Sequence, residues 1–484
     1  MKAGRALLLI ALAFPLPGCA REARPNILLI VVDTARADRF STNGYARETT
    51  PVAEALGRDG AVYLDASTPS PWTLPAHASL FTGLYPSSHG AESGHLVLDA
   101  GLPILARDLK ESGYRTQAYI ENPWVGKDYN FHVGFDTFDE VWRHVRGTEG
   151  DMGAAAVSDK IERWLAWRDG NAEARAQPFF IFINYFEPHL PYNAPEPERA
   201  RFLSPGADRE AVDRLRRFKN PGDVKLLLGL VSLTAADMEI LSALYDGEIA
   251  YVDRRIGEVI GSLARRGLLD ATVVVVTSDH GEMLGEHGLV DHKLSLYEPV
   301  LRIPLVLRYP PAVPAGQRLD APVMLQDLRP TLLALAGAGG AGAARGAAWP
   351  PESRLLPGIR GLVPGAARGL EAGDPVIAEY ARPVEFLQVM RNLAPDVDPA
   401  RWDGTLVAFR VGGRKLIWSS LGRSELYDLR ADPDERLDLF PQGTAPARPD
   451  PSAIEAWLRR DGVSALFRRV DTPPTGGASI PPPE

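Results

Sequence analysis

Two apolar runs of the chain end in side chains that bind metal ions. Asp33 follows residues 27–32, and Asp279 and His280 come shortly after residues 273–276. Short runs rich in β-branched residues predict buried parallel strands, and open α/β sheets bind ligands at the carboxyl ends of such strands. Carboxylates combined with an imidazole suit zinc or manganese better than calcium. We therefore predict a divalent metal site at Asp33, Asp279 and His280, although either aspartate alone also suits a helix cap or a turn.

A hydroxyl stands at the start of a helix predicted between these two runs. Residues 72–83 predict a loop that turns into a helix, with Pro75 in the first turn and Thr73 at or just before the N-cap. Unpaired N–H groups and the helix dipole make such a terminus an anion site. Taken alone, Thr before Pro most often marks only a helix start, and a nucleophilic hydroxyl is the second interpretation.

Histidines follow two of the predicted strands. His189 comes soon after an apolar, aromatic run at 179–184, whereas His287, His292 and Lys293 lie in a turn-rich stretch behind the Asp-His pair. A lone histidine is a weak signal, but this cluster of histidines and a lysine favours a functional site. His287 is predicted to orient the loop.

The composition limits the class of partner. The chain has 484 residues and a net charge of −9, which suits one large α/β domain with a smaller one and argues against non-specific nucleic-acid binding. A phosphorylated or sulfated small substrate stays compatible, because a bound metal ion inverts the local field. The single cysteine, Cys19, excludes an intramolecular disulfide and a structural cysteine-zinc site.

The first residues resemble an export signal. Lys2 and Arg5 precede an apolar run at 6–14 that is too short for a membrane span, and Leu16-Pro17-Gly18-Cys19 resembles the lipid-attachment signal of a bacterial lipoprotein. An ordinary cleaved signal peptide with a chance cysteine is the alternative. We expect an exported protein of the cell envelope, anchored to the outer membrane through lipidated Cys19 and facing the periplasm.

The segment Thr73-Leu74-Pro75-Ala76-His77, followed by Thr82-Gly83, resembles the signature of the sulfatase family within the alkaline-phosphatase-like hydrolases. That family has Cys or Ser at the first position and Arg at the fifth. Threonine cannot be oxidised to formylglycine, because its β-carbon carries a methyl group. The segment is therefore similar to the branch with a threonine nucleophile, which includes phosphodiesterases and phosphoryl transferases.

Other positions both follow and depart from the same family. Thr34 replaces the second Asp of an Asp-Asp pair, and Glu121-Asn122-Pro123-Trp124 replaces a segment whose Lys and His contact sulfate. Glu187-Pro188-His189 is similar to the family's Asp-Pro-His, and Lys293 stands four residues before Tyr297-Glu298, as the family's anion-binding Lys does. Asn122 is predicted as a turn residue before proline, with substrate contact as the second interpretation.

The resemblance implies an α/β fold with a large, mostly parallel central sheet flanked by helices and a small C-terminal antiparallel-sheet subdomain. The predicted divisions are a lipoprotein signal at 1–19, a catalytic domain at 24–370, a C-terminal subdomain at 371–440 and a Pro-rich tail at 441–484. The charged segment 193–233 is predicted as an irregular surface insertion at the substrate mouth.

The implied reaction is a metal-assisted, in-line displacement on a sulfate or phosphate ester of a small, glycan-linked or lipid-linked group. Thr73, as nucleophile, joins Asp33, Asp279 and His280 around zinc or manganese, with calcium less suited. His77, His189 and Lys293 are expected to stabilise the non-bridging oxygens, and His292 is expected to act as the general acid. Phosphoester chemistry is favoured because formylglycine cannot form. The alternatives are an arylsulfatase-like sulfuric ester hydrolase and a non-catalytic, lipid-anchored binding protein.

Overall fold

The computed structural model describes residues 24–145, 150–338, 356–360 and 375–439. The predicted signal around Cys19 and the predicted tail at 441–484 lie outside these ranges. Among the helices that are described, none combines the length and the apolar character that a bilayer span requires.

Sixteen strands are described, and they form one large sheet and three smaller ones. Their bounds are β1 Asn26–Val32, β2 Ala61–Tyr63, β3 Ala66–Ser67, β4 Arg115–Ile120, β5 Thr137–Glu140, β6 Phe179–Tyr185, β7 Thr272–Thr277, β8 Met283–Leu284, β9 Val290–Asp291, β10 Leu305–Arg308, β11 Gln317–Leu319, β12 Val323–Met324, β13 Val376–Tyr380, β14 Leu406–Val411, β15 Arg414–Ser419 and β16 Glu425–Asp428.

The large sheet has the order β11-β2-β10-β7-β1-β6-β4-β5. Only β10 runs antiparallel to its neighbours, so the central strands β7, β1, β6 and β4 all end at the same edge. The smaller sheets are β13-β14-β15-β16, which is antiparallel, and the pairs β12-β3 and β8-β9.

Helices cover both faces of the large sheet. The α-helices are α1 Pro51–Arg58, α2 Thr73–Thr82, α3 Pro86–His89, α4 Leu105–Glu111, α5 Ala154–Gly170, α6 Ala172–Ala176, α7 Glu198–Arg201, α8 Arg209–Leu215, α9 Gly222–Leu227, α10 Ala235–Arg265, α11 Glu298–Leu301, α12 Leu328–Leu335 and α13 Val384–Leu393. The 3₁₀ turns include Pro123–Val125 and Lys127–Tyr129.

The continuous apolar sequence of β1 is explained by the two cores that it joins. Its odd-numbered residues from 27 to 31 pack with α2, α4 and α12 on one face. Its even-numbered residues from 28 to 32 pack with α1, α5 and α10 on the other. A strand that is covered on both sides has no polar face. The sequence of β1 is therefore apolar throughout and does not alternate between apolar and polar residues.

The C-terminal sheet is attached to the large sheet by buried polar contacts. Arg410 of β14 binds Asp65 at 2.6 Å, and the buried Lys415 of β15 binds Glu298 at 2.8 Å and Glu435 at 2.7 Å. Charges buried in this way require partners. The predicted fold class, a large, mostly parallel sheet with a small antiparallel one, is confirmed. The domain boundaries remain predictions.

The segment 193–233 departs from its prediction as irregular chain. It contains the three short helices α7, α8 and α9. Glu198, in α7, binds Arg254 of α10 at 2.6 Å, so this insertion is held to the longest of the described helices.

Candidate active site

The ends of neighbouring strands bring three metal-binding side chains together. Asp33 follows β1, Asp279 and His280 follow β7, and the two strands pair in parallel with Val31 opposite Thr277. All three side chains are fully buried. Their ligand atoms lie within 4.8 Å of one another. The strand ends thus assemble the cluster that the sequence predicts.

Thr73 reaches this cluster from the start of α2. It is the first helical residue, preceded by Trp72 as the N-cap in extended conformation, and so lies one position further into the helix than expected. Its Oγ1 atom is 3.3 Å from His280 Nε2 and 3.3 Å from Asn122 Nδ2. The hydroxyl therefore lies at the edge of the acidic cluster.

Asn122 links the nucleophile candidate to the metal cluster. Its Nδ2 donates to Asp33 Oδ2 at 2.5 Å, while its Oδ1 accepts from the Trp124 backbone N–H at 2.8 Å. The sequence predicts Asn122 as a turn residue, and it does cap the turn at Pro123–Val125. Its contacts with Asp33 and Thr73 are a second role. The position of Asn122 could have indicated these contacts, because Asn122 follows β4 at the same sheet edge as the ends of β1 and β6.

The donor set of the cluster fits a divalent cation. Asp33 Oδ1 and Asp279 Oδ2 are buried without a hydrogen-bond partner. Burial, and then the charge of Asp279, raise the pKa of Asp33 well above its usual range, since two close carboxylates in a dry site repel each other. His280 Nδ1 lies 2.9 Å from the Gly281 carbonyl, an arrangement that leaves Nε2 to act as a ligand.

His77 lies behind this cluster. Its Nδ1 is 2.9 Å from the Thr73 carbonyl oxygen and 3.5 Å from Asp279 Oδ2, and its ring packs against Phe131 and Phe182. The side chain is fully buried, and burial lowers its pKa. This position differs from the predicted contact with the transferred group, because His77 supports the backbone of Thr73 and the side chain of Asp279.

A second acidic cluster lies next to the first. The ligand atoms of Glu282, Asp291 and His292 are also within 4.8 Å of one another. His292 Nδ1 is 2.9 Å from Asp291 Oδ1 and 3.4 Å from Glu282 Oε1. Burial lowers the pKa of His292, but the charges of Asp291 and Glu282 raise it by more, to about 10. His292 is therefore an imidazolium at neutral pH.

Lys293 adds a second cation to this cluster. Its ammonium group contacts Asp291 and lies 3.1 Å from Asp223 Oδ2. Burial raises the pKa of Asp291. The neighbouring cations His292 and Lys293 lower it by more, so the pKa lies well below the usual range. Glu282, Asp291 and Asp223 were not anticipated from the sequence, because no motif or periodic pattern there distinguishes them as site residues.

His189 is the neutral counterpart of His292. Its ring stacks on Phe186 at 4.5 Å and meets the His292 ring at 5.3 Å. Burial, and then the charge of His292, lower the pKa of His189 to about 4. Of these two histidines, only His292 carries a proton to donate near neutral pH.

A cavity of about 450 Å³ opens above these groups. Its polar lining includes Thr73, His189, His292 and Lys293. The cavity thus brings together the predicted nucleophile, the predicted acid and two of the three predicted oxygen-stabilising residues. His77 is the one predicted site residue that lies on the protein side of the cluster.

Comparison with known proteins identifies the family. The fold and the acidic cluster are those of an alkaline-phosphatase-like, metal-dependent ester hydrolase. The sequence model of the Sulfatase family matches residues 25–338. The chain belongs to the sulfatase family, and it is an ester hydrolase of that family.

The relatives share the length of the chain at modest identity. Choline-sulfatase of Rhizobium meliloti is 27% identical, over 86% of this chain and 82% of its own. The uncharacterized sulfatase YidJ of Escherichia coli is 28% identical, over 86% and 83%. Arylsulfatase K of Bos taurus is 24% identical, over 90% and 84%.

Solved structures agree with the fold. Phosphonate monoester hydrolase of Agrobacterium radiobacter superposes with a TM-score of 0.66 at 22% identity, covering 92% of this chain and 96% of that one. A protein solved with its substrate D-glucosamine-2-N,6-O-disulfate gives a TM-score of 0.65 at 19% identity, covering 93% and 99%.

Proposed function

We propose that this enzyme hydrolyses phosphoric esters, with Thr73 as the nucleophile and Asp33, Asp279 and His280 holding a divalent cation. The observation that carries the proposal is the position of the Thr73 hydroxyl, 3.3 Å from both His280 Nε2 and Asn122 Nδ2. A threonine there cannot become an aldehyde hydrate, so its own oxygen is the atom available for attack.

Asp33, Asp279 and His280 would hold the cation, and their mixed donors suit zinc or manganese better than calcium. When bound, it would lower the pKa of the Thr73 hydroxyl and neutralise charge on the transferred group. Thr73 loses its proton to water in the cavity and forms a bond from Oγ1 to phosphorus. The bond from phosphorus to the ester oxygen breaks, and the leaving oxygen takes a proton from the His292 imidazolium. The chain is then phosphorylated on Thr73.

Hydrolysis reverses the roles of the same groups. His292, now neutral, accepts a proton from water as that water attacks phosphorus. The bond from phosphorus to Thr73 Oγ1 breaks, and the threonine oxygen regains a proton from solvent. Lys293 lines the cavity where the non-bridging oxygens of the phosphoryl group lie, and its ammonium opposes their charge. The neutral His189 donates its Nδ1 proton to the Leu190 carbonyl at 2.9 Å, so it shapes this part of the cavity and does not supply charge.

Sulfate ester hydrolysis is the second candidate. The observation that favours it is the similarity to a protein named choline-sulfatase, at 27% identity over 86% of this chain. The geometry of the attack is the same for sulfur and phosphorus, and Thr73 would act on sulfur directly.

The test is a substrate comparison with the purified full-length protein, loaded in turn with zinc, manganese or calcium. The substrates are nitrophenyl sulfate, nitrophenyl phosphate, a bis-nitrophenyl phosphodiester and a nitrophenyl phosphonate, which share one leaving group. We expect phosphoester or phosphonate turnover to exceed sulfate turnover. Thr73→Ala should lower kcat by about a thousandfold or more.

Thr82→Ala is the matched control, because Thr82 stands at the other end of the same helix and bonds only to neighbouring backbone through its hydroxyl. Sulfate turnover above phosphate turnover would replace the phosphoester assignment by the second candidate. Full activity in Thr73→Ala would remove Thr73 as the nucleophile.

We also propose that the chain is exported and anchored through lipidated Cys19, on the strength of the signal-like sequence alone. Labelling of cells with an alkyne fatty acid should mark the wild-type protein and leave Cys19→Ala unmarked. Equal labelling of both would reject the anchor.

A further inference from the structure

We infer that the cavity selects an ester whose organic group is a flat aromatic ring system, rather than a sugar or a quaternary ammonium. This inference rests on the proposed function for its reacting group, and it concerns the part of the substrate that the reaction releases. The observations that carry it are the composition of the cavity walls and the way in which their charges are already paired.

The first wall is aromatic and begins at the nucleophile. Trp124 meets the edge of Trp72 at 5.8 Å and stacks on Tyr129 at 5.3 Å, yet 37% of its surface stays exposed. Its backbone N–H is held by Asn122, which also contacts Thr73. The same short turn thus supports the nucleophile and presents an indole to whatever is attached to the ester oxygen.

A second apolar wall comes from the C-terminal part of the chain. Phe386 and Val389 are one helical turn apart on α13 and line the same cavity, and Tyr380 lines it from the end of β13. Val389 is 37% exposed. Two apolar walls of one cavity, one of them with a partly exposed indole, favour a flat group that stacks on them.

The carboxylates of the cavity are already engaged. Asp291 contacts His292 and Lys293. Glu385 accepts from the Gly94 N–H at 2.9 Å and from the Ser93 hydroxyl. A sugar would bring many hydroxyl groups to walls whose carboxylates are already paired, at the cost of losing their water. A quaternary ammonium would meet Lys219, which lines the same cavity, and would find Asp291 already paired with Lys293.

The size of the cavity agrees with this class of substrate. A volume of about 450 Å³ lies at the small end of the range for pockets that enclose ligands of drug size. It accommodates a phosphoryl group with roughly one or two fused rings, and a longer saccharide would have to extend past the exposed rim.

The experiment compares three phosphate monoesters of primary alcohols, so that the leaving groups have similar basicity. They are naphthylmethyl phosphate, glucose phosphorylated at its primary hydroxyl, and choline phosphate. We expect kcat/KM for naphthylmethyl phosphate to be about tenfold or more above each of the others. Equal values, or a preference for the sugar or choline ester, would overturn the inference while leaving the phosphoester function in place.

The wall itself is tested by substitution. Trp124→Ala should raise KM for naphthylmethyl phosphate about tenfold with a smaller effect on kcat, and should leave KM for the sugar ester nearly unchanged. Trp124→Phe should restore most of the affinity. Trp167→Ala is the control, because Trp167 is an exposed tryptophan of α5 outside the cavity. A uniform loss with all three esters would mean that Trp124 only supports the fold.

If the wild type turns over none of the three esters, the proposed reaction fails, and binding still decides the inference. Quenching of tryptophan fluorescence in Thr73→Ala then gives the affinity for each ester. Tighter binding of naphthylmethyl phosphate than of the sugar and choline esters supports an aromatic-selective cavity. Equal or reversed affinities reject it.

Discussion

Two clusters of the same residue types lie side by side in this site, and their charges are balanced in different ways. Asp33, Asp279 and His280 place two carboxylates together, and the imidazolium of His292 packs against the His280 ring at 4.3 Å while pairing with the carboxylates of the other cluster. Glu282 and Asp291, in the adjacent cluster, have His292 between them. In both clusters the ligand atoms lie within 4.8 Å of one another, so distance alone does not distinguish them.

The difference lies in what remains unpaired. Asp33 Oδ1 and Asp279 Oδ2 are buried without a hydrogen-bond partner, and burial together with the Asp279 charge raises the pKa of Asp33. In the second cluster, Lys293 and a protonated His292 lower the pKa of Asp291 despite its burial. The first cluster thus needs an external cation, whereas the second supplies its own positive charge and keeps a proton available for the reaction.

The largest expected effect is a contrast between the two aspartates. Asp279→Asn should weaken zinc or manganese binding by about a hundredfold or more and lower kcat/KM by about a thousandfold. Asp291→Asn should leave metal affinity within about threefold, because the second cluster holds no essential ion. Calorimetric titration of the metal-free protein measures both affinities. Equal losses of metal binding in the two variants would erase the distinction.

The second prediction concerns the proton held by His292. Its pKa of about 10 is raised above the usual value, so the imidazolium persists at neutral pH and is lost as pH rises through about 10. Activity should therefore fall at alkaline pH. His292→Gln should lower kcat about a hundredfold for alkyl esters but much less for nitrophenyl esters, which leave without protonation.

Asp291→Asn provides the complementary measurement. Removing that carboxylate removes the strongest contribution that raises the His292 pKa, so the alkaline fall in kcat/KM should move to lower pH. An alkaline limb that stays in place in both variants would assign it to another group.

The sequence could predict the first cluster better than the second for a physical reason. Asp33 and Asp279 each follow an apolar strand. The parallel sheet brings the ends of such strands together, whatever the conformation of the loops that connect them. Asp291 belongs to the short strand β9, Asp223 to α9 within an insertion, and they meet only through tertiary packing. Periodicity carries no information about contacts between two short elements that are far apart in the sequence.

Individual side chains show the same limit. Thr73 could be placed because Pro75 fixes the helix start to within one residue. His77 follows one helical turn later, but the packing of Phe131 and Phe182 directs its ring away from the cavity, and no local pattern predicts that. The sequence around Asn122 predicts a turn residue, which is correct. Its contacts with Asp33 and Thr73 depend on the order of the strands in the sheet, which the sequence does not show.

The third prediction tests the first cluster through stability. Metal at a hundred times its dissociation constant should stabilise the folded wild type by about 2.7 kcal/mol, and a chelator should remove that gain. Asp279→Asn should show little difference between metal-loaded and chelated samples. Thermal unfolding with and without chelator measures the shift, and an equal shift in Asp291→Asn and wild type would agree with a single metal site in the first cluster. Loss of the shift in Asp291→Asn would contradict it.

The smallest effect is expected where two carboxylates share a proton instead of binding a cation. Glu121 and Glu187 are fully buried and hydrogen-bonded to each other, and burial is the main cause that raises the pKa of both. The folded chain therefore keeps a proton that the unfolded chain releases above the usual carboxyl pKa of about 4.3. Stability should then fall as pH rises through the folded-state pKa values.

Glu187→Gln replaces this shared proton by a permanent amide donor. The variant should be more stable than wild type by about 1 kcal/mol at pH about 8, with the difference vanishing near pH 5. Urea unfolding of metal-saturated protein measures it. Glu162→Gln is the control of opposite sign, because hydrogen bonds from Arg266 and Ser262 lower the pKa of Glu162 to about 2, so its loss should destabilise the protein at both pH values. A Glu187→Gln variant that is less stable by the same amount at each pH would show that the pair is held by packing and backbone contacts rather than by its proton.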